Sequence, residues 1–184
     1  TIGRFRNILI KNNMQEKLFA DVVNRLKARG LMLMKGAIVD STLIAAPSST
    51  KNNKKKARDP KAHQTKKGNQ WYVGYKGYIG VDRDTSLANK METTAANIHD
   101  VTVVPDLMEV TGEDVHGDSG YLGVEKRDGA ILTNLFNYIV CARPSSLKKR
   151  FAGKDNEAAV TAEHAKSSVC CKVEHVSIAG CCRE

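Results

Sequence analysis

Three acidic residues have the type and spacing to do chemistry together: Asp40, Asp118 and Glu174. The two aspartates each follow a short apolar run that is typical of a β-strand, and strands of one sheet can end side by side although they are far apart in sequence. Three carboxylates that met there would bind divalent metal ions, because hard cations such as Mg²⁺ take oxygen ligands and keep positions open for water and phosphate. The pattern therefore predicts a two-metal centre for phosphodiester chemistry. The alternative is that each aspartate is an ordinary helix cap or turn residue.

The elements that must position these carboxylates are predicted from apolar periodicity, glycines and turn residues. We expect a helix at 14–29 that stops at Gly30, a strand at 37–45 around Asp40, a hairpin of strands 71–82 and 87–96, a helix from Val101 capped by Asp100, a short strand before Asp118, a strand at 138–142 and a helix at 157–174 that delivers Glu174. This order predicts an α/β fold in which a mixed sheet is flanked by helices.

A strongly basic segment follows the first of these strands. Eight of the 17 residues from Lys51 to Lys67 are basic and one is acidic, and no apolar periodicity runs through them, so we expect an exposed loop. Such a run is often only a solvated surface. Its place after Asp40 and before the aromatic strand at 71–82 favours contact with the phosphates of DNA, without base readout. The residues predicted to bind DNA are Lys51, Lys54, Lys55, Lys56, Arg58, Lys61, Lys66 and Lys67.

The composition agrees with a nucleic-acid partner without requiring one. The chain of 184 residues has 29 Lys and Arg against 20 Asp and Glu, which gives a formal net charge of +9 at pH 7 and a pI near 9.4. Such an excess favours a polyanion, because each neutralised phosphate releases counterions. No apolar stretch approaches the roughly 20 residues needed to span a bilayer, and nothing resembles a signal peptide. We therefore expect a cytoplasmic protein without membrane contact.

Five cysteines raise the question of a zinc site: Cys141, Cys170, Cys171, Cys181 and Cys182. The two adjacent pairs lack the spacing that zinc ligand pairs use, since neighbouring side chains on one backbone diverge. An odd number of cysteines in a cytosolic chain indicates free thiols instead.

Three segments, at 35–52, 93–101 and 117–125, resemble the DDE transposases of bacterial insertion sequences, specifically the insertion-sequence-five family with its insertion-sequence-four-like catalytic domain. The similarity runs from about Arg4 to His175. It implies a ribonuclease-H-like catalytic domain that cuts and rejoins DNA at the ends of a mobile element. That domain would occupy 34–184, and 1–33 would be the last part of an N-terminal helical region.

The resemblance also carries expectations about cofactors and partners. By position, Asp40, Asp118 and Glu174 match the family's metal-binding triad, which would hold two Mg²⁺ (or Mn²⁺) ions. The partners would be double-stranded DNA, as element ends and as target, with a homodimer assembled on it. The protein would act in the bacterial cytoplasm, associated with the nucleoid.

The sequence departs from the family near its carboxyl-terminal end. The family carries an Arg one helical turn before the catalytic Glu and a Lys two turns after it, and these positions are Cys170 and Cys181 here. The continuation after His175 also differs, and most of the N-terminal helical region is absent. We therefore expect a truncated chain that is inactive in transposition. Two alternatives stay open: a DNA-binding remnant without catalysis, and a ribonuclease-H-like nuclease that cuts without joining strands.

Overall fold

The computed structural model describes residues 2–47, 59–108, 114–126, 136–143, 145–147 and 157–181, with side chains only as far as Val173 in the last range. The chain forms two compact units, Thr1–Leu33 and Met34–Glu184. None of the helices in the described part of the chain combines the length and the apolar content needed to cross a membrane.

The first unit is a pair of helices, α1 (Ile2–Lys11) and α2 (Gln15–Ala28). Helix α2 confirms the predicted helix at 14–29. It stops where expected, since Gly30 takes a φ of 68° and its N–H donates to the carbonyl oxygen of Lys27 at 2.9 Å. Helix α1 was not predicted from the residue pattern, although the resemblance implied a helical region at 1–33.

The second unit is built on a mixed six-stranded sheet. Its strands are β1 (Gly36–Ala45), β2 (His63–Lys67), β3 (Gln70–Asp82), β4 (Ala88–Ala95), β5 (Asp114–Gly117) and β6 (Asn137–Val140). The order is β2-β3-β1-β5-β6, and β4 also pairs with β3. Strand β3 is antiparallel to β1, β2 and β4, whereas β1–β5 and β5–β6 are parallel.

Helices cover both faces of this sheet. Successive residues of a strand point to opposite faces, so neighbouring residues of β1 pack against different helices. Val39 belongs to a buried cluster that includes residues of α3 (Val104–Leu107) and of three short 3₁₀ helices, Asp100–Thr102, Ser119–Tyr121 and Val124–Lys126. Its neighbour Ile38 belongs to a second cluster, to which α4 (Glu157–Cys181) contributes Val173. The predicted mixed sheet flanked by helices is confirmed, and this arrangement is compatible with a ribonuclease-H-like fold.

One prediction about the basic segment was wrong. Residues 63–67 are not loop but strand β2, which pairs with the start of β3 from His63 opposite Gly74 to Lys67 opposite Gln70. A strand at this position is held by backbone hydrogen bonds, so it needs no apolar periodicity. Residues 59–62 precede β2 as a turn, and residues 51–58 lie outside the described residues.

Asp82 fixes the β3–β4 turn and the start of β1 with both carboxylate oxygens. Its Oδ2 accepts the N–H of Met34 at 2.6 Å, and its Oδ1 accepts the N–H groups of Asp84 and Thr85 at 3.0 and 2.9 Å. The side chain is fully buried. Burial opposes ionisation, but the hydrogen bonds from Thr85, Met34 and Asp84 outweigh it and hold the pKa of Asp82 below its usual value.

Replacing Asp82 with asparagine should lower the free energy of unfolding by about 2 kcal/mol at pH 7, because either amide orientation points an NH₂ group at a backbone N–H donor. A carboxyl with a depressed pKa stabilises the fold above its unfolded pKa of about 3.9, and this contribution is lost as the pH falls through the folded pKa. Urea unfolding should therefore separate the two proteins most at neutral pH and less in acid.

The matched control is Asp84→Asn. Asp84 contacts Arg83 at the surface, so its replacement should change stability by less than about 1 kcal/mol. A difference between the Asp82 variant and the parent that stays constant from neutral pH to acid would contradict this account of Asp82.

Candidate active site

The pairing of β1 with β5 brings Asp40 and Asp118 together. The two strands are parallel and in register up to Val39 opposite Gly117. Paired strands lie about 4.8 Å apart, and the residue that follows the last pair is in each chain segment one of the two aspartates, which sets them next to each other. Asp40 is half-buried within β1, and Asp118 is exposed directly after β5.

The turn after β5 holds the Asp118 carboxylate in place. Asp118 caps the 3₁₀ helix Ser119–Tyr121, and its Oδ1 accepts the N–H of Gly120 at 2.8 Å. Gly117 lets the turn close, because a Cβ at this position would lie 3.1 Å from Cδ2 of the Tyr121 ring. The Tyr121 ring packs closely against Gly117, in the turn that carries Asp118.

Both aspartates line one cleft of about 670 Å³. Its lining includes three acidic and three basic residues, Asp40, Asp100, Asp118, Lys66, Lys67 and Lys76; the remaining lining residues are Ser41, Thr42, Leu43, Thr65 and Tyr72. A cleft lined by both carboxylates and cations suits a phosphate backbone that runs past a metal centre.

Asp100 has a different position from the one predicted. The cap of the short 3₁₀ helix is His99, whose Nδ1 accepts the N–H of Val101 at 3.4 Å, while Asp100 is the first helical residue. The Asp100 carboxylate turns to β3 instead. Its Oδ1 lies 2.7 Å from Nζ of Lys76 and accepts the hydroxyl of Tyr78 at 3.1 Å. The Asp100 carboxylate thus pairs with a lysine that is distant in sequence and does not cap the helix.

The pKa values of two buried tyrosines are raised, in part by the negative charge at this site. Burial raises the pKa of Tyr121, which is 2% exposed, and the carboxylates of Asp100, Asp40 and Asp118 raise it further. Burial likewise raises the pKa of Tyr78 to about 12, and Asp100 adds to the shift. A cation placed among these carboxylates would offset their mutual repulsion.

Asp40 and Asp118 supply the kind of donor that Mg²⁺ and Mn²⁺ prefer, two adjacent carboxylates open to a cleft. Within the ranges that the structure describes, no three His, Cys, Asp or Glu side chains lie close enough together to hold a metal ion. The backbone of Glu174 lies in α4 and follows Val173, which is buried on the sheet face of Ile38. The Glu174 side chain lies outside the described residues, so its role stays a prediction.

The predicted DNA-binding residues divide into three groups. Lys66 and Lys67 line the cleft, and Lys61 is exposed but does not line it. The other five, Lys51, Lys54, Lys55, Lys56 and Arg58, lie outside the described residues.

Sequence reasoning missed Lys76 and Tyr72 as lining residues of the cleft. Lys76 and Tyr78 are two residues apart on β3, so their side chains share one face of the sheet. That spacing could have indicated that the lysine and the tyrosine belong to one surface. Nothing near Lys76 in sequence points to Asp100 as its partner.

A second cleft, of about 420 Å³, also includes Asp118 in its lining. It is lined by residues of the β6 end and of α4, among them Cys141, Glu163, His164 and Cys170. Cys141, Cys170 and Cys171 carry free thiols.

The family described as "Transposase DDE domain" matches residues 32–175, which include β1, β5 and the part of α4 that contains residue 174. No solved structure matches the chain.

Proposed function

Because the chain belongs to the family of transposase DDE domains, we propose that it cleaves DNA strands at the ends of an insertion sequence with divalent metal ions held by Asp40, Asp118 and Glu174. The observation that carries this proposal is the β1–β5 register, which sets two carboxylates side by side at the mouth of a cleft. Double-stranded DNA, as element end and as target, is the proposed partner, with the protein acting as a dimer on it.

The two aspartates would bind the metal through oxygen atoms that the fold already orients. Asp40 is fixed within β1, and the Gly120 N–H holds one oxygen of Asp118. When bound, the ions would activate a water molecule for in-line attack on phosphorus and stabilise the leaving oxygen. The chain's own contribution is to hold the ligands rigidly and to position the DNA strand.

Lys76 is a further cation of the cleft that would contact the DNA backbone. It lies on the Tyr78 face of β3, whereas Asp40 lies on the Ile38 face of β1, so its contact would be to a phosphate next to the reacting one. Its ammonium group is held by the Asp100 carboxylate at 2.7 Å and by the carbonyl oxygen of Ile98 at 2.8 Å, so it needs little reorganisation to bind a phosphate. Lys66 and Lys67 would hold the backbone further along the cleft.

Nicking of a supercoiled plasmid tests the proposal. We expect conversion to open circles with Mg²⁺ or Mn²⁺ and none with a chelator. Nicking that persists in the chelator would reject a metal-dependent reaction by this chain. We expect no joining of a pre-cut element end, because Cys170 takes the position of an expected Arg and its thiol packs against Cys141. Joining by this chain would contradict that expectation.

The salt dependence of DNA binding tests the cationic residues. Replacing Lys66 and Lys67 with glutamine should reduce the slope of log K against log salt by about 0.9 for each phosphate that the protein no longer neutralises. The same reasoning applies to replacement of Lys54, Lys55, Lys56 and Arg58 together. Fluorescence anisotropy of a labelled duplex at several salt concentrations gives the slope.

The control for the salt experiment is Lys126→Gln, an exposed lysine that does not line the cleft. Its slope should equal that of the parent. If the Lys66 and Lys67 variant also keeps the parental slope, these lysines are solvated surface and do not contact DNA.

A further inference from the structure

Two cysteines from distant parts of the chain meet beside the second cleft. Cys141 follows β6 directly, and Cys170 lies on α4. Their sulfur atoms are 3.7 Å apart, and both thiols are free and partly buried. Both cysteines line this cleft together with Asp118, so a small molecule in the cleft can reach the pair.

Hydrogen bonds on both sides hold this pair in place. The N–H of Cys141 donates to the carbonyl oxygen of Gly117 at 3.0 Å, which fastens it to β5. The next N–H, of Ala142, donates to Oε2 of Glu163 on α4 at 2.9 Å. Glu163 and Cys170 are two helical turns apart and so share a face of α4. A hydrogen bond therefore already connects the end of the strand to the helix close to the two thiols.

We propose that Cys141 and Cys170 are a site of reversible covalent modification, at which a small-molecule disulfide such as oxidised glutathione closes the two thiols into a disulfide bond. The sulfur atoms need to approach from 3.7 Å to about 2 Å, and both side chains already point at each other. This site does not depend on the metal-dependent reaction at Asp40 and Asp118.

The exchange balances without any other reactant. The thiolate of one cysteine attacks a sulfur of the glutathione disulfide, breaks its S–S bond and releases one glutathione. The second cysteine then attacks the mixed disulfide, forms the Cys141–Cys170 bond and releases the other glutathione. The two thiol protons end on the two glutathione molecules, which are reduced as the protein pair is oxidised.

The surroundings of the thiols set the conditions of the experiment. Burial raises the pKa of Cys141, and burial together with the neighbouring Cys141 raises that of Cys170 to about 12. The titratable groups that act on their pKa values are Asp118, Glu163, Lys166 and the neighbouring thiol of Cys171. Because only the thiolate attacks, exchange is followed at about pH 8.5, where more of each thiol is ionised.

Closure should stabilise the second unit. The bond joins the strand end to α4 across the segment from 141 to 170, which constrains the unfolded chain. We expect the melting temperature of the oxidised protein to rise by roughly 5–10 °C and to return to the parental value on reduction.

The test uses the full chain with Cys171→Ser, Cys181→Ser and Cys182→Ser, so that only the proposed pair remains. After treatment with oxidised glutathione, intact mass should fall by about 2 Da, and digestion should give one cross-linked peptide that contains both cysteines. The control adds Cys141→Ser, which should yield a glutathione adduct or no change, without the rise in melting temperature.

A parallel sample unfolded in urea separates proximity in the fold from chemical reactivity. A higher ratio of cross-link to glutathione adduct in the folded protein than in urea supports the proposal, because proximity of the two thiols acts on the second, intramolecular step. The proposal fails if the folded protein accumulates glutathione adducts on both cysteines, or if the cross-link forms only in urea.

Discussion

Replacing Asp118 with asparagine should lower metal-dependent DNA nicking by roughly 100- to 1,000-fold. Asparagine keeps an oxygen acceptor for the N–H of Gly120, now 2.8 Å from Oδ1, so the turn after β5 should persist. It loses the negative charge that a divalent cation requires from its ligand. The measurement is the rate at which supercoiled plasmid becomes open circle at saturating Mg²⁺, with the thermal melt of each variant as a check on folding.

Asp40→Asn should show a loss of similar size, because the β1–β5 register gives both aspartates to the same site. The control is Asp106→Asn, which removes an exposed carboxylate of α3 outside the cleft and should leave the rate unchanged. Parental nicking by the folded Asp40 and Asp118 variants would show that this pair does not bind the catalytic metal.

Strand β1, which carries Asp40, was predictable because it contains a short apolar run. Strand β1 has Ile38 buried on one face and Val39 on the other, so a nearly continuous apolar stretch ends at Asp40. The β3–β4 hairpin was predictable from the turn residues between its two strands, which are also a local signal. Both signals lie within a few residues of the element that they predict.

Strand β2 was not predictable in this way. Its five residues from His63 to Lys67 include two lysines, and their side chains are exposed or half-buried. The strand forms because its backbone pairs with β3, and backbone pairing does not require a pattern of apolar side chains. A basic strand at this place is predicted as a loop until its partner is known.

The site itself depends on contacts between residues far apart in sequence. Asp100 was predicted to be a cap because capping is a local rule, yet its partner Lys76 lies 24 residues earlier. The side-by-side placement of Asp40 and Asp118 depends on a parallel pairing that periodicity cannot specify. The residue pattern suggested that these two aspartates and Glu174 could meet, and the resemblance to a known family favoured that interpretation over ordinary caps and turns.

Replacing Gly74 with alanine should lower the free energy of unfolding by at least about 3 kcal/mol. Gly74 lies on β3 where β1 ends opposite it, at Ala45. A Cβ at this position would overlap the carbonyl oxygen of Ile44 and lie 2.8 Å from the backbone nitrogen of Ala46. These are backbone atoms of a paired strand, so relief requires β1 and β3 to separate. Urea unfolding measures the loss directly.

Gly68→Ala is the matched control, because Gly68 lies in the turn between β2 and β3 and an added Cβ meets nothing within 4 Å. Its φ of 61° strains an alanine, so we expect a cost of only about 1 kcal/mol. The difference between the two variants isolates the steric contact from the general cost of replacing glycine. Separation of β1 from β3 would also displace Thr42 and Leu43, which line the cleft beside Asp40. The Gly74 variant should therefore lose nicking activity along with stability, whereas equal stability of the two variants would contradict the close packing of β1 on β3.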